Sequence, residues 1–227
     1  MSVSIVIPAH NEQDTIAEIV RVAVRAGFVD VIVVDDGSGD NTATVARSAG
    51  ARVVRLDVNQ GKGEAMRIGL EEVSPYVGVV LFWDADLEGT TVADLEAVYK
   101  PVEDDQQDMV IGVLATAGQR LAPGMSGLRA LPTRLARQFF ATLKTSGIAA
   151  ATVRFSVERR LNEWFDLNNE GCRRTDSRWG DYALTGLRKR SIWLPHHIRH
   201  RTKLQKRGLW RGLIAWLRMW WEIIWGY

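Results

Sequence analysis

Val79-Val80-Leu81-Phe82-Trp83-Asp84-Ala85-Asp86 is the stretch whose reading decides the fold of this chain. An apolar run short enough for a buried strand ends in two carboxylates one residue apart, and Leu87-Glu88-Gly89 leads away as a loop. In an α/β sheet, ligands collect in the crevice outside the carboxyl ends of the strands, where Asp84 and Asp86 would project to the same side. Hard cations such as Mg2+ or Mn2+ take oxygen ligands, commonly one or two carboxylates plus substrate phosphates. An Asp-rich turn capping a following helix would use the same residues, so the neighbouring segments must decide.

Those neighbours alternate strand and helix signals. Val3 to Ile7 reads as a strand. From Glu12 to Ala26, the residues Ile16, Ile19, Val20, Ala23 and Val24 recur at helical spacing, and Gly27 closes the segment. Val31-Ile32-Val33-Val34 reads as a second strand, and Asp35 to Asp40 turns the chain into a helix through Ala43, Val45 and Ala46 that ends at Gly50. A third strand, Arg52 to Leu56, leads through Asn59-Gln60-Gly61-Lys62-Gly63 into a helix carrying Ala65, Met66, Ile68 and Leu70. A helix from Thr91 to Tyr99 follows the Asp84/Asp86 loop. Strands separated by helices predict right-handed crossovers and a largely parallel sheet covered on both faces.

Composition sets the class. The 227 residues are 46% hydrophobic and 25% charged, as in an ordinary globular domain. Cys172 stands alone and can form no internal disulfide, which favours a reducing compartment. No signal peptide is visible at the start, and no apolar run reaches bilayer-spanning length. The net charge of +2 conceals an asymmetry: residues 1–116 hold 8 Lys+Arg against 20 Asp+Glu, a net of −12, and residues 117–227 hold 21 against 7, a net of +14. One half suits a metal and the other an anion, although most such charges are solvated surface. Nucleic acid is not an expected partner, because zinc-finger, RRM and KH signatures are missing.

Three loops are expected beside Asp84 and Asp86: Pro8 to Glu12, Asp35 to Asp40, and Gly61 to Gly63. The glycines let backbone N–H groups approach a phosphate, and Lys62 adds a cation where a helix dipole already favours an anion. Asp35 and Asp36 would repel a diphosphate and better suit hydrogen bonds to a base or ribose. Two rival phosphate motifs fail. Gly37-Ser38-Gly39-Asp40-Asn41-Thr42 places Thr where a dinucleotide fingerprint needs its third Gly, and Gly61-Lys62 lacks the upstream Gly and the following Ser/Thr of a P-loop.

Pro8-Ala9-x-Asn11-Glu12, Val34-Asp35-Asp36-Gly37-Ser38, Gly61-Lys62-Gly63 and Asp84-Ala85-Asp86, in this order and spacing, resemble family 2 glycosyltransferases of the GT-A fold. The resemblance covers the first half most strongly. It implies an α/β fold, with a Rossmann-like, mixed and mostly parallel sheet flanked by helices, that holds a nucleotide-diphosphate sugar such as a UDP- or GDP-hexose. By that resemblance Pro8, Ala9, Asn11 and Glu12 with Asp36 and Ser38 hold the base and ribose, and Lys62 approaches the phosphates. Asp84, Ala85 and Asp86 then serve ribose and metal, Mg2+ or Mn2+.

Further along, Asp108 to Leu114 reads as another strand. Ser126-Gly127-Leu128-Arg129-Ala130-Leu131 resembles the acceptor-side motif of polyprenyl-phosphate hexosyltransferases, with Leu128 in place of a frequent aromatic. Arg129 offers a bidentate guanidinium to an acidic acceptor, or is a surface arginine at a helix start. Glu158 opens a helical run with Leu161, Trp164 and Phe165 and is a candidate base or acceptor ligand; a first-turn carboxylate favoured by the helix dipole is the alternative. Residues 168–180 read as an exposed polar loop. The spacing of His196 and His200 does not make a zinc protease, since Pro195 opposes a helix and H-E-x-x-H is absent. In the resembling family a histidine after the last strand joins the second Asp on the metal ahead of a basic loop. His200, followed by Arg201, Lys203, Lys206 and Arg207, fits that pattern better than His197. Arg201 and Lys203 are expected to assist the leaving group and an anionic acceptor.

From 209 to 225 the chain carries five of its nine tryptophans among Leu213, Ile214, Leu217, Ile223 and Ile224, with Arg211, Arg218 and Glu222 on one stripe of a helix. This pattern predicts an amphipathic helix at an anionic membrane interface, or a helix docked on the domain or in a homodimer seam. The expected organisation is one GT-A domain over 1–208, with a nucleotide-sugar half (1–116) and an acceptor half (117–208), followed by the helix of 209–227. The expected function is metal-dependent hexosyl transfer to an anionic acceptor, a polyprenyl phosphate on the cytoplasmic face of the membrane. A small acid such as 3-phosphoglycerate, or sugar-nucleotide binding without turnover, are the alternatives. A nucleotidyltransferase would show a Gly-rich first loop with Arg and Lys, which Pro8 to Glu12 lacks.

Overall fold

The apolar runs Val3–Ile7, Val31–Val34 and Val79–Phe82 all lie in strands. The computed structural model describes residues 2–114, 127–145, 157–169, 187–194 and 198–200. In chain order its elements begin β1 (Val3–Ala9), α1 (Ile16–Arg25), β2 (Asp30–Asp35), α2 (Thr42–Ser48), β3 (Arg52–Arg55), α3 (Lys62–Glu72), β4 (Val79–Phe82), β5 (Leu87–Glu88) and α4 (Val92–Glu103). They continue with β6 (Met109–Val113), β7 (Arg129–Pro132), α5 (Thr133–Thr145), α6 (Val157–Asn169), β8 (Lys189–Trp193) and β9 (Arg199–His200).

Seven strands form one sheet in the order β3-β2-β1-β4-β7-β6-β8. β1 pairs in parallel with β2 and β4, β2 with β3, and β6 with β8, whereas β7 runs antiparallel to both β4 and β6. The expected mixed, mostly parallel sheet is therefore present, with β7 as the inserted reversed strand. Pro8 is tolerated in a central strand because the β1–β4 ladder ends at Val6↔Phe82, with Trp83 N–H donating to Val6 O, so the missing Pro8 N–H falls beyond that ladder.

The period of two along each strand sorts the core onto two faces. Ile5, Ile7, Val31, Val33, Val79 and Leu81 pack against α1, α2 and α4, and Val6, Ile32, Val34, Val80 and Phe82 pack against α3, α5 and α6. α3 lies unusually close to the sheet: a Cβ at Gly69 would stand 2.4 Å from Val6 Cγ1, so only glycine fits there. This face matters for the site, because it puts the first residues of α3 and α6 on the same side of the sheet.

Several expectations shift. Leu87-Glu88 is not a free loop but strand β5, paired antiparallel with β9. α1 begins at Ile16 rather than Glu12, because the Glu12 carbonyl accepts from the N–H groups of Thr15 and Ile16 in a preceding turn. α4 is capped by Thr91, whose hydroxyl accepts from Asp94 N–H while the Asp94 carboxylate accepts from Thr91 N–H at 2.8 Å, and it runs past Tyr99 to Glu103. Arg129 opens strand β7 rather than a surface helix. α6 extends through Asn168 and Asn169, where a loop was expected. Among the described residues no helix is long and apolar enough to cross a membrane. The segment 209–227 and its predicted amphipathic helix lie outside the described residues.

Candidate active site

At the carboxyl ends of β1 and β2 the two loops are stitched together before any ligand is considered. Asn11 takes the left-handed conformation (φ 57°), which short polar side chains tolerate. Its N–H donates to Ser38 Oγ at 2.9 Å, and its Oδ1 accepts from Gly39 N–H at 2.9 Å. His10 Nδ1 lies 2.7 Å from the Asp36 carbonyl oxygen and Nε2 lies 3.0 Å from Asn11 Nδ2. A carbonyl can only accept, so Nδ1 carries the proton and Nε2 accepts from the amide, which fixes a neutral imidazole tautomer. Glu12 N–H donates to Thr42 Oγ1 at 2.8 Å.

Asp36 tethers the second loop to the third. Its carboxylate accepts from Gln60 N–H at 2.6 Å and Gly61 N–H at 2.8 Å, and the residue is 3% exposed. Both Asp36 oxygens thus accept from the backbone that leads into α3. Ser38 is likewise buried, with its hydroxyl oxygen accepting from Asn11. Gly37, at φ 66°, is held so close that a Cβ would meet the Val58 and Asn59 backbone at 2.6 Å. Pro8, Ala9 and Glu12 stand where β1 leads into its loop, and Ala85 is fixed by Thr15, whose Oγ1 donates to the Ala85 carbonyl at 2.7 Å.

Lys62 is the first residue of α3. A cation at a helix N-terminus stands at the wrong end of the dipole, so something must compensate it. Two carboxylates do: Asp84 Oδ1 lies 2.6 Å from Lys62 Nζ and Glu158 Oε1 lies 2.5 Å from it, with side-chain exposures of 23% for Lys62, 12% for Asp84 and 7% for Glu158. Burial lowers the lysine pKa, but the attraction of Asp84 and Glu158 outweighs it and holds the ammonium above its ordinary value. Lys62 thus joins β4 of the first half to the first turn of α6 in the second.

Gly127 and Arg129 complete this cluster. A Cβ on Gly127 would lie 2.2 and 2.6 Å from the two Asp84 carboxylate oxygens and 2.4 Å from Lys62 Nζ, so the bare backbone of Gly127 covers the ion pair. Arg129 is fully buried, and its Nη1 donates to the Glu158 carbonyl at 3.1 Å and to Asn162 Oδ1 at 3.3 Å. Burial pushes the Arg129 pKa down to about 10, against the pull of Glu158 and Asp84. Arg129 is shut from solvent and docks α6 onto β7. The Glu158 carboxylate is ion-paired with Lys62.

The metal ligands divide on the same geometry. Both Asp84 oxygens lie beneath Gly127, and one is paired with Lys62. Asp86 is half-buried one residue before β5, and the β5–β9 register sets Leu87 opposite His200. The backbone register therefore brings position 200 next to the Asp86 turn, and carboxylate and imidazole are donor types that Mg2+ or Mn2+ accept beside phosphate oxygens. Among the described residues no group of three or more His, Cys, Asp and Glu residues gathers as a ready-made metal cage. Arg201, Lys203 and His197 lie outside the described residues. Reading the sequence missed Asn162 and the covering role of Gly127, since only contact between distant segments reveals either.

The chain is similar to several known glycosyltransferases. A 40% identical segment of 91 residues is shared with glycosyltransferase AglJ of Haloferax volcanii, over 39% of this chain and 29% of that protein. The undecaprenyl-phosphate 4-deoxy-4-formamido-L-arabinose transferase of Edwardsiella ictaluri is 35% identical over 97 residues, 38% of this chain and 29% of that one. The matches span about half the length of such curated relatives or less. The crystal structure of glucosyl-3-phosphoglycerate synthase from Mycobacterium tuberculosis in complex with Mn2+, UDP-glucose and phosphoglyceric acid superposes with a TM-score of 0.64 at 21% identity, covering 98% of this chain and 77% of that one. The likeness confirms the GT-A fold. The family model described as glycosyl transferase family 2 matches residues 4–161, more than half of the sequence, and the chain belongs to that family.

Proposed function

We propose that the protein transfers a hexosyl group from a nucleotide-diphosphate sugar to an anionic acceptor, with a divalent cation as cofactor. The observation that carries this reading is the position of Lys62: a buried ammonium at the N-terminus of α3, among the loops that follow β1, β2, β3 and β4. That is where an α/β sheet receives a phosphate-bearing ligand. In this reading Pro8, Ala9, Asn11, Glu12 and Ser38 surround the nucleoside, and Asp36 fixes the loop they stand on. Lys62 faces the diphosphate, and Asp86 with His200 would hold Mg2+ or Mn2+. The cation would supply Lewis acidity that stabilises charge on the leaving diphosphate. Arg201 and Lys203 add positive charge for the leaving group and for an acceptor.

An acceptor that is itself a phosphate is nucleophilic as it stands and needs no strong base, which suits a site whose nearest carboxylates, Asp84 and Glu158, are both bound to Lys62. A polyprenyl phosphate at the membrane surface is the acceptor we favour, supported by the undecaprenyl-phosphate transferases among the relatives and by the tryptophan-rich segment 209–227. That segment would keep the enzyme peripheral on the cytoplasmic face. Residues 1–208 would then act as one catalytic domain.

Calorimetry with a panel of UDP- and GDP-sugars, with and without Mn2+, tests the donor side. Metal-dependent binding of one of them is expected, and no binding to any of them refutes the reading. Incubating that donor with a polyprenyl phosphate or with 3-phosphoglycerate then identifies the acceptor; product from 3-phosphoglycerate alone would replace the lipid by a soluble acid.

A further inference from the structure

The Lys62 ammonium is shared by two carboxylates, the second of which also balances the buried Arg129. Asp84, from the end of β4, already stands within 2.6 Å of it, and Glu158 reaches it from the opposite half of the chain at 2.5 Å. The Glu158 carboxylate is only one of the contacts that dock α6. Docking also runs through the Glu158 backbone carbonyl and Asn162, both gripped by Arg129, and through Val157, Leu161, Trp164 and Phe165 in the core.

We propose that Glu158 is a positioning residue that acts as a placeholder anion: its carboxylate occupies Lys62 until the diphosphate of the donor takes its place. This rests on the donor reading above and adds to it a cost of donor binding that the acceptor half of the chain imposes. Glu158 opposes the diphosphate twice, by competing for the ammonium and by like-charge repulsion in a partly buried site. Replacing the carboxylate by its neutral isostere removes both effects and leaves the Arg129 hydrogen bond to the backbone carbonyl intact.

The test measures UDP and GDP binding by calorimetry at fixed, saturating Mn2+ in the full chain. Glu158→Gln is expected to bind the preferred nucleotide about tenfold more tightly than the wild type, the order expected when one like charge leaves such a site. In a Lys62→Met background the same substitution gains markedly less, because competition for the ammonium is gone. Glu158→Asp keeps the charge and shortens its reach by one methylene, so it gains affinity by less than Glu158→Gln; this variant also serves if the glutamine form does not fold. Nucleotide binding that is unchanged or weakened in Glu158→Gln overturns the inference and leaves the donor reading standing. So does an equal gain with and without Lys62. Failure of wild type and variants alike to bind either nucleotide overturns the donor reading and the inference with it.

Discussion

Replacing Gly127 by alanine asks whether the backbone truly seals the Lys62–Asp84 pair. The added Cβ would lie 2.2 and 2.6 Å from the Asp84 oxygens and 2.4 Å from Lys62 Nζ, against ordinary contacts of 3.4 Å or more. Three atoms must each move by about an ångström, and two of them are pinned, since Lys62 is also bound by Glu158. Gly127 is not among the glycines with positive φ, so the penalty is steric and owes nothing to backbone strain. Overpacking of this kind costs about 1–3 kcal/mol. Taking about 2 kcal/mol, a chain of this size loses roughly 4–8 °C in Tm. Urea unfolding of wild type, Gly127→Ala, Asp84→Ala and the double variant separates the clash from general damage. Removing the Asp84 carboxylate takes away two of the three close contacts, so the alanine should cost at least about 0.5 kcal/mol less in that background. A Gly127→Ala protein within about 0.5 kcal/mol of wild type would refute the seal.

Arg129→Met deletes a buried cation that docks α6 and leaves Asp84 and Glu158 with Lys62 alone, so a loss of about 3 kcal/mol in urea unfolding is expected; a loss below about 1 kcal/mol would mean that α6 docks without it. The Lys62 pKa is raised above its ordinary 10.5, so its pairing contributes fully below that value and is lost only as pH rises through the higher folded value. The stability difference between wild type and Lys62→Met should therefore decay in strong alkali, and a decay already under way between about pH 7 and 9 would contradict the pairing. Deleting 209–227 should abolish sedimentation with anionic liposomes, and unchanged sedimentation would remove the membrane from the proposal. Residues 1–116 expressed alone should fail to unfold cooperatively, because β6 pairs only with β7 and β8 from the second half; a sharp urea transition would show that the first half folds by itself.

Residues 3–82 were legible because most strands there are short apolar runs beside Gly or Asp, and the helices repeat apolar residues at helical spacing. Asp84-Ala85-Asp86 fell at a sheet edge as its position after Val79–Phe82 required. What those carboxylates do was not legible. Asp84 looks like a ligand by sequence, and its pairing depends on a lysine, a glutamate and a glycine from three other segments. Arg129 shows the same limit: an arginine beside glycine reads as surface, and only a backbone carbonyl on a distant helix makes its burial tolerable. β5 and β9 are two residues each and exist only by pairing with one another, so no local pattern announces them. The helix α5 did carry a signal, in Leu135, Ala136, Phe139, Phe140 and Leu143 at helical spacing, next to the glycine motif that drew the reading elsewhere.

The charge asymmetry of the sequence acquires a different meaning from this geometry. Residues 1–116 carry an excess of acid and residues 117–227 an excess of base, which suggests that the halves attract one another across the site. The buried cluster does not work that way. Lys62 and Asp84 come from the acidic half and Arg129 and Glu158 from the basic half, so each half supplies one cation and one anion and the seam is neutral. Neutrality is what burial demands, since an uncompensated charge there would cost several kcal/mol. It also means that a diphosphate arriving at the seam meets no net positive charge in the cluster itself. The compensating charge must come from a divalent cation at Asp86, from the basic run Arg201 to Arg207, or from Lys62 once Glu158 releases it. The first two add charge to the seam, whereas the third redistributes what is already there, which is why the Glu158 substitution discriminates among them.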